Sequence, residues 1–497
     1  MVLINEQNEE THVLMVAFAS QGHINPLLRL GKRLVSKGLH VSLAITEIFL
    51  HRMLKSSAFS SSSSSTSINS ISGIQLLFFS DGFSIDYDRK ASLDHYVETL
   101  GKAGPVNLSN LIKDHFHRNH KKLSCIINNP FVPWVANVAL EHNIPCAMLW
   151  IQPCALYAIY YRFYNNLNPF PNLANPEISV ELPGLPLLQI QDLPSFVLPS
   201  NPFGSVPKLF AEMFQNIKKL KWVLGNSFFE LEKEAIDSMS ELCPILPVGP
   251  LVPPSLLGED QNLDVGAIDM WQPHETCMEW LDHQPPSSVI YVSFGSIIVL
   301  SARHLESIAT ALKNSKRPFL WVVKVSENPT PDGDGVLPTG FLEETKDQGL
   351  IVAWSPQTKV LAHPAIACFL THCGWNSMLE AIAAGVPLIA YPQWTDQPTN
   401  AKLIVDVLKV GVRLRPESDG VVTTEEVEKC IAEIMAGPRS EEFKKNSEEF
   451  KRVARMTVAD GGSSDLNLNV FVDDVIGNSC RSSSKEIVSD GSAAVEE

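Results

Sequence analysis

The sequence has no long uninterrupted apolar run. Its most apolar segment, residues 144–161, is broken by Pro145, Gln152 and Pro153, which favours a strand followed by a helix over a membrane span. The first residues, MVLINEQNEETH, are polar and acidic, without the basic start and apolar centre of a secretory signal peptide. We therefore expect a soluble cytoplasmic protein without membrane insertion.

Cysteines at paired spacing are also lacking. The nine cysteines are scattered along the chain, and the neighbours His372 and Cys373 have no CxxC or HxxxH partner nearby to complete a metal site. The sequence therefore predicts thiols in a reducing compartment and no metal.

Positive charge is scarce. The 497 residues include 39 Lys and Arg against 55 Asp and Glu, which gives a formal net charge of −16. This balance argues against nucleic acid and anionic membranes as partners, because both attract basic proteins. Any phosphate group that the protein binds must therefore be held by local geometry.

Short apolar runs alternate with helical patterns through both halves of the chain. The runs cover residues 12–18, 40–46, 74–80, 123–129 and 145–150, and then 289–294, 318–323, 349–354, 366–371 and 387–392. Runs that are apolar on both faces and alternate with helices are typical of parallel sheets covered by helices. The sequence predicts an α/β fold of two doubly wound, Rossmann-like domains that face a cleft.

Changes in composition set the expected domain boundaries. We expect an N-terminal domain over residues 1–245, a linker rich in Pro, Gly and acid over 246–270, and a second domain over 271–457. A C-terminal helix over 458–476 is expected to pack back on the first domain. The Ser-rich segment 61–67 is predicted to be mobile and the polar tail 477–497 to be disordered.

The stretch HCGWNS follows the run that ends at Thr371 and precedes a helical pattern. In open α/β sheets ligands bind beyond the carboxyl ends of strands, where helix N-termini present backbone N–H groups. His372, Asn376 and Ser377 are therefore placed to hold a phosphate without a Walker or GxGxxG sequence. Ordinary capping by Asn376 or Ser377 is the alternative, but it does not explain the preceding His and Gly.

Polar residues beside the other strand ends suit a nucleotide joined to a sugar. Glu380 lies three residues after Ser377 and can accept hydrogen bonds from ribose hydroxyls. Asp396 and Gln397 follow another run and offer acceptors and donors to sugar hydroxyls. Trp354 and Gln357 supply an aromatic plane for a base and an amide for its edge or the ribose.

Residues 354–397 resemble the signature box of plant UDP-sugar-dependent glycosyltransferases of secondary metabolism (family one), and the resemblance extends over roughly residues 10–475. It implies the GT-B fold, with the acceptor site mainly in the first domain and the donor site in the second. A terminal Gln in the box, with Trp at the position of Trp375, goes with UDP-glucose as co-substrate. The donor-binding residues that we assign are Ser296, Ala353, Trp354, Gln357, His372, Gly374, Trp375, Asn376, Ser377, Glu380, Trp394, Asp396, Gln397 and, after the run 145–150, Gln152. Among these, uracil is expected to stack on Trp354.

His23 lies in the loop QGHIN after the first run. A single histidine is more often a surface or capped residue, but its place in a Gly-containing loop at the start of a helix favours a catalytic role. The resemblance implies a general base for direct, inverting displacement at the anomeric carbon, and an unperturbed pKa near 6.5 suits that role. No metal is expected if His372 and the helix N-terminus stabilise the departing UDP.

Asn129, in CIINNPFVPW, stands where the family has an Asp that orients the catalytic His. A neutral Asn cannot stabilise an imidazolium, so that an alcohol should be harder to deprotonate. A carboxylic acid, with a pKa near 4, is already ionised at neutral pH. INNPF and LWIQPCALYAIYYRF also resemble the glucose-ester-forming branch of the family. We therefore predict a β-glucose ester of a small aromatic acid, with phenolic hydroxyls such as those of flavonoids or stilbenes as the alternative acceptors.

The acceptor pocket is expected to be apolar and to suit flat aromatic ligands. Its assigned residues are Phe18, Phe83, Trp134, Tyr157 and Phe196. A non-catalytic nucleotide-sugar binding protein is a second hypothesis, because the Asp is missing, but His23 and the complete box argue against it. A dehydrogenase is disfavoured because neither domain has GxGxxG after its first strand. We expect a monomer.

Overall fold

The computed structural model describes residues 11–55, 70–89, 92–201, 204–258, 276–296, 298–324 and 335–489. The described residues form two sheets, one from each half of the chain. The Ser-rich segment 61–67 and residues 259–270 of the expected linker lie outside the described residues.

The strands of the first sheet are β1 (His12–Val16), β2 (His40–Thr46), β3 (Ser70–Ile71), β4 (Ile74–Phe79), β5 (Leu123–Asn128), β6 (Cys146–Trp150), β7 (Trp222–Gly225) and β8 (Leu246–Pro247). Their order across the sheet is β3-β4-β2-β1-β5-β6-β7-β8. Neighbours are parallel except β3 and β4. All residues of β1, β5 and β6 are buried, as expected for strands covered by helices on both faces.

The helices that precede the second sheet in the chain are α1 (Gln21–Ser36), α2 (Glu47–Lys55), α3 (Leu93–Ile112), α4 (Val135–Glu141), α5 (Cys154–Tyr164), α6 (Ser205–Asn216), α7 (Phe229–Asp237), α8 (Pro254–Leu257) and α9 (Thr276–Asp282). Helix α1 shows why such segments form. Its buried residues Ile24, Leu27, Leu28 and Leu34 recur at helical spacing, so that one stripe faces the core.

The second sheet contains β9 (Val289–Ser293), β10 (Phe319–Val322), β11 (Gly349–Val352), β12 (Ile366–Thr371), β13 (Leu388–Ala390) and β14 (Gly411–Arg413). All its neighbours are parallel. The remaining helices are α10 (Ala302–Ser315), α11 (Phe341–Glu344), α12 (Gln357–Ala362), α13 (Trp375–Ala384), α14 (Gln397–Lys402), α15 (Thr424–Ala436), α16 (Ser440–Val458) and α17 (Ser463–Ser489).

Helix α17 packs on the first sheet. Its side chains Leu468 and Phe471 join the same apolar core as β1, and the indole N–H of Trp222 donates to Asp474 at 2.9 Å. The sequence predicted a disordered tail from residue 477, but the structure places residues 477–489 in this helix. Each residue added to an existing helix gains one backbone hydrogen bond, so a polar sequence can extend it. Residues 490–497 lie outside the described residues.

Strand order places the crevices of both sheets. The strands β4-β2-β1-β5-β6-β7 and β11-β10-β9-β12-β13-β14 each follow the doubly wound order 3-2-1-4-5-6, in which ligands bind where the order reverses. These points lie beyond β1 and β5 in the first sheet and beyond β9 and β12 in the second. None of the helices in the described ranges combines the length and apolarity that crossing a bilayer requires.

Contacts between the two halves join the loops at these crevices. The Asn376 amide donates to the Gly22 carbonyl at 2.9 Å, and Arg29 pairs with Glu380 at 3.4 Å. The first turns of α13 therefore face α1, and the two crevices form one cleft.

Candidate active site

His23 and Asn129 meet at the crevice of the first sheet. His23 is the third residue of α1, and Asn129 directly follows β5. The Nδ1 of His23 and the Oδ1 of Asn129 are 2.9 Å apart. The same Oδ1 accepts the backbone N–H of Phe131 at 3.1 Å, which identifies it as the amide oxygen. Nδ1 therefore carries the proton, and Nε2 keeps a lone pair that can accept one.

The pKa of His23 differs from the ordinary value expected from the sequence. Burial lowers the pKa of its imidazole to about 4, and the hydrogen bond with Asn129 opposes this effect only in part. Two aromatic rings lie against the imidazole, with centroid distances of 5.3 Å to Phe18 and 4.6 Å to Phe131. Because Asn129 is neutral, its amide adds no negative charge that would offset the loss of solvation of an imidazolium. His23 is therefore a neutral and weak base.

The five residues assigned to the acceptor pocket separate into two groups. Phe18 and Phe83 are half-buried and contact Tyr96, with centroid distances of 5.6 and 6.0 Å. The other three, Trp134, Tyr157 and Phe196, are buried in the apolar core.

Sequence reasoning missed Phe131 and Tyr96. The ring of Phe131 lies 5.7 Å from Phe18 of the first group and 5.5 Å from Phe210, whose ring in turn lies 5.5 Å from Phe196 of the second group. The motif INNPF, in which Phe131 lies two residues after Asn129, was the available signal. Tyr96 lies on α3, and nothing in its local sequence marks it.

His372 lies between two glycines at the crevice of the second sheet. A Cβ atom on Gly295 would come within 2.7 Å of the imidazole, and one on Gly374 within 2.5 Å. Only glycine at both positions leaves room for the ring there. Burial lowers the pKa of His372 to about 4, so the imidazole is neutral at physiological pH.

The first turn of α13 presents its backbone to the same crevice. Its N-cap is Gly374, which offers no side-chain cap, so the alternative of ordinary capping by Asn376 or Ser377 does not apply. Asn376 uses its amide N–H₂ for the Gly22 contact, and its amide oxygen has no hydrogen-bond partner among the described residues. Ser296 is exposed in the turn after β9, close in sequence to Gly295.

Gln357 and Glu380 form one hydrogen-bonded group. The Gln357 amide donates to Glu380 at 2.9 Å and to the Ser377 hydroxyl at 3.1 Å. The other carboxylate oxygen of Glu380 pairs with Arg29 of α1. Ala353 and Trp354 follow β11, the former exposed and the latter half-buried.

Asp396 and Gln397 lie together at the start of α14, and Gln152 reaches Asp396 from the first domain. The carboxylate of Asp396 accepts hydrogen bonds from Thr395 and Asn400, each at 2.7 Å, and from the side chain of Gln152. Burial raises the pKa of Asp396, although these hydrogen bonds oppose the shift.

The oxygen of the Gln397 side chain accepts two backbone N–H groups, that of Gln393 at 2.9 Å and that of Trp394 at 3.2 Å. The amide N–H₂ of Gln397 is therefore the part of the side chain left to meet a sugar. Trp394 itself is half-buried in the same loop.

Trp375 does not fit its assignment as a donor-binding side chain. Its indole is buried in the core of the second domain and donates to the Asn226 carbonyl of the first domain at 2.8 Å. At the first position of α13 a side chain can point to the core while the backbone faces the crevice. The side chain therefore joins the two domains.

Over the ranges that the structure describes, no cluster of three or more His, Cys, Asp or Glu side chains could hold a metal ion.

Comparison with known proteins identifies the family. Residues 263–456 match the family model described as UDP-glucoronosyl and UDP-glucosyl transferase. The chain is 46% identical over 478 residues to UDP-glycosyltransferase 84B1 of Arabidopsis thaliana, which covers 95% of this chain and 99% of that protein. The chain belongs to the UDP-glycosyltransferases.

Two further comparisons extend over nearly the whole glycosyltransferase. Gallate 1-beta-glucosyltransferase 84A24 of Punica granatum is 44% identical over 467 residues, covering 93% of this chain and 88% of that protein. The crystal structure of Os79 from O. sativa in complex with UDP has a TM-score of 0.82 and 32% identity, and covers 93% of this chain and 100% of that one. The predictions of a GT-B fold and of a glucosyltransferase enzyme are confirmed.

Proposed function

We propose that this glycosyltransferase transfers glucose from UDP-glucose to the carboxyl group of a small aromatic acid and forms a β-glucose ester. The observation that carries the proposal is the pairing of His23 with neutral Asn129 at 2.9 Å, in surroundings that lower the pKa of the imidazole to about 4. The Punica granatum relative is named for gallate, a small aromatic acid.

The low pKa of His23 discriminates between acceptor classes. A carboxylic acid has a pKa of about 4, so its proton is either already lost or shared evenly with Nε2 of His23. A phenol has a pKa of about 10. Transfer of its proton to a base whose pKa is about 4 is therefore unfavourable by about 8 kcal/mol, the free energy of about six pKa units. A charged partner would raise the pKa of His23 again, but the side chain at position 129 is a neutral amide. Carboxylates therefore suit this site better than phenols.

The donor is held by residues of the second domain. We assign uracil to Trp354 and the ribose to Gln357 and Glu380. The pyrophosphate is assigned to the backbone at Gly374, the N-cap of α13, and to Ser296, His372, Asn376 and Ser377. Helix α13 has ten residues, and its N-terminus favours an anion. Neutral His372 can donate one hydrogen bond to this anion.

The sugar is assigned to Asp396, Gln397 and Gln152, which meet across the two domains. A carboxylate oxygen of the acceptor then forms a bond to the anomeric carbon, the bond from that carbon to the UDP oxygen breaks, and UDP leaves. Attack opposite to the leaving group inverts the α-linked donor to a β-ester.

The test is a matched pair of acceptors, an aromatic acid and the phenol of similar shape. We expect the wild type to have the higher kcat/KM on the acid. His23→Ala should lower kcat/KM on the phenol on the order of a hundredfold or more, the usual scale of general base catalysis, and affect the acid less. Asn129→Asp should raise activity on the phenol more than on the acid, because the added charge stabilises the imidazolium.

Equal responses of the two acceptors to both substitutions would show that proton removal does not separate them, and would overturn the assignment of the carboxyl group as acceptor. The donor is tested by turnover with UDP-glucose, UDP-galactose and UDP-glucuronate, with UDP-glucose expected to be preferred.

A further inference from the structure

Thr395 adopts a backbone conformation that its side chain disfavours. Its φ is +58°, in the left-handed region, where a β-branched residue is a genuine outlier and persists only when its surroundings enforce it. Thr395 directly precedes Asp396 and Gln397, the residues assigned to the sugar. The conformation of Thr395 therefore sets the direction in which both side chains leave the loop.

Ser195 of the first domain holds both backbone groups of Thr395. The backbone N–H of Ser195 donates to the Thr395 carbonyl at 2.9 Å, and the backbone N–H of Thr395 donates to the Ser195 hydroxyl at 2.9 Å. The Thr395 hydroxyl in turn donates to Asp396 at 2.7 Å. Thr395 thus links Ser195, which bonds its backbone, to the carboxylate assigned to the sugar, which accepts its hydroxyl.

Ser195 is itself fixed to the second domain on its N-terminal side. Asp192, three residues earlier, is buried and pairs with Arg413 at 2.7 Å. The Asp192 carbonyl accepts the hydroxyl of Thr399 at 2.7 Å, and Thr399 lies in α14 two residues after Gln397. The segment from Asp192 to Ser195 is therefore clamped to the same short helix that carries Gln397.

We propose that Ser195 is a positioning residue for sugar recognition, which holds Thr395 in the left-handed conformation and so orients Asp396 and Gln397. This inference rests on the proposed function, because it takes these two residues to contact the sugar of UDP-glucose. We expect the effect of Ser195 to be confined to the sugar, since the residues assigned to uracil, ribose and pyrophosphate belong to the loops after β9, β11 and β12 and to helices α12 and α13.

The first experiment measures dissociation constants of UDP-glucose, UDP-galactose and UDP by calorimetry. Ser195→Ala removes the hydroxyl that accepts the Thr395 N–H, and should weaken UDP-glucose about tenfold while UDP changes less than about twofold. The preference for UDP-glucose over UDP-galactose should narrow. Ser195→Thr keeps the hydroxyl and should restore most of the binding of UDP-glucose.

A matched control is Ser238→Ala, whose hydroxyl donates to the Ala235 carbonyl within the first domain at 2.8 Å. Ser238→Ala should leave the dissociation constants of UDP-glucose and UDP unchanged. Because UDP binding reports an intact second domain, a variant that fails to fold is recognised by loss of UDP as well.

A double-mutant cycle tests the conformational mechanism. Glycine adopts positive φ without strain, so Thr395→Gly removes the need for an enforced conformation, although it also removes the hydroxyl bond to Asp396. Ser195→Ala should therefore weaken UDP-glucose less in the Thr395→Gly background than in the wild type. Equal effects in both backgrounds would overturn the mechanism.

The proposal fails if Ser195→Ala weakens UDP as much as UDP-glucose, or leaves both constants unchanged. These outcomes differ from failure of the proposed function. If the wild type binds UDP-galactose as tightly as UDP-glucose, the assigned donor is wrong. The role of Ser195 is still tested in that case, because Ser195→Ala should weaken the binding of both sugar nucleotides more than the binding of UDP. Acceptor preference does not enter this measurement.

Discussion

At the scale of single residues, His23 and His372 both have an imidazole with a lowered pKa, but the two rings lie in different surroundings. Burial lowers the pKa of each imidazole to about 4, so both are neutral at physiological pH. His23 has its Nδ1 proton engaged by Asn129 and offers a lone pair at Nε2. His372 lies between Gly295 and Gly374 at a helix N-terminus, where a neutral donor can meet an anion without being desolvated as a cation.

We expect the pH profile of kcat/KM to reflect the low pKa of His23. A group whose pKa is lowered from 6.5 to about 4 stays unprotonated as the pH falls from 8 to about 5, so the activity should be flat over this range and decline only below it. The measurement uses a phenolic acceptor, whose own ionisation near pH 10 does not interfere.

In the same assay Asn129→Asp should shift the acid-side decline to higher pH, because a neighbouring carboxylate raises the pKa of an imidazole. A decline centred near pH 6.5 in the wild type would contradict the environment described for His23.

His372→Ala should weaken UDP binding by roughly one to three kcal/mol, the scale of a lost hydrogen bond to a charged group. Calorimetric titration with UDP measures this loss. Since no metal is invoked for the pyrophosphate, excess chelator should leave most of the activity of the wild type intact. Activity that disappears with EDTA and returns with a divalent cation would contradict this way of binding the phosphates.

Among helices and strands, α5 depends on a partner far along the chain. Buried Glu232 accepts the backbone N–H groups of Cys154 and Ala155, each at 2.9 Å, and the hydroxyl of Ser227. These N–H groups begin α5 and have no partner within the helix. Glu232 itself departs from helical geometry within α7, with φ −132° and ψ 33°.

Glu232→Ala should lower the free energy of unfolding by about 2–4 kcal/mol, because it leaves buried N–H groups at the start of α5 without an acceptor. Chemical denaturation followed by circular dichroism measures the change. The matched control is Glu234→Ala in the same helix, where the side chain is exposed and the expected loss is within about 0.5 kcal/mol. Similar losses for both variants would show that the bonds to α5 contribute little.

For the protein as one unit, contacts between the two domains involve residues that also belong to the cleft. The indole of Trp375 reaches the Asn226 carbonyl, and the amide of Asn376 reaches Gly22 beside His23. Arg29 pairs with Glu380. His23 and the loops assigned to the donor are therefore held in one arrangement by hydrogen bonds across the cleft.

Trp375→Phe should destabilise the protein by about 1–3 kcal/mol, because the Asn226 carbonyl loses its buried donor. The ratio of turnover with UDP-glucose to that with UDP-galactose should stay unchanged, because the indole faces the other domain. Trp280→Phe serves as control, since Trp280 is half-buried at the edge of the same core. If Trp375→Phe changed the ratio of turnover with UDP-glucose to that with UDP-galactose without loss of stability, the assignment of the Trp375 side chain to the donor site would be supported after all.

The sequence by itself determined the two sheets and the loops that carry the chemistry. Apolar runs and helical spacing are local patterns, and they predicted most strands of both sheets to within a few residues. Because parallel strands present their carboxyl ends at one edge, the same patterns also placed His23, Asn129, His372 and Asp396 beside the cleft.

The tertiary structure alone decided what those side chains contact. Asn129 lies 106 residues from His23, Asn226 lies 149 residues from Trp375, and Ser195 lies 200 residues from Thr395. The pKa of His23, the direction of the Trp375 indole and the conformation of Thr395 depend on these partners. Burial and hydrogen bonding arise only when distant segments pack together, so no local pattern of residues encodes them.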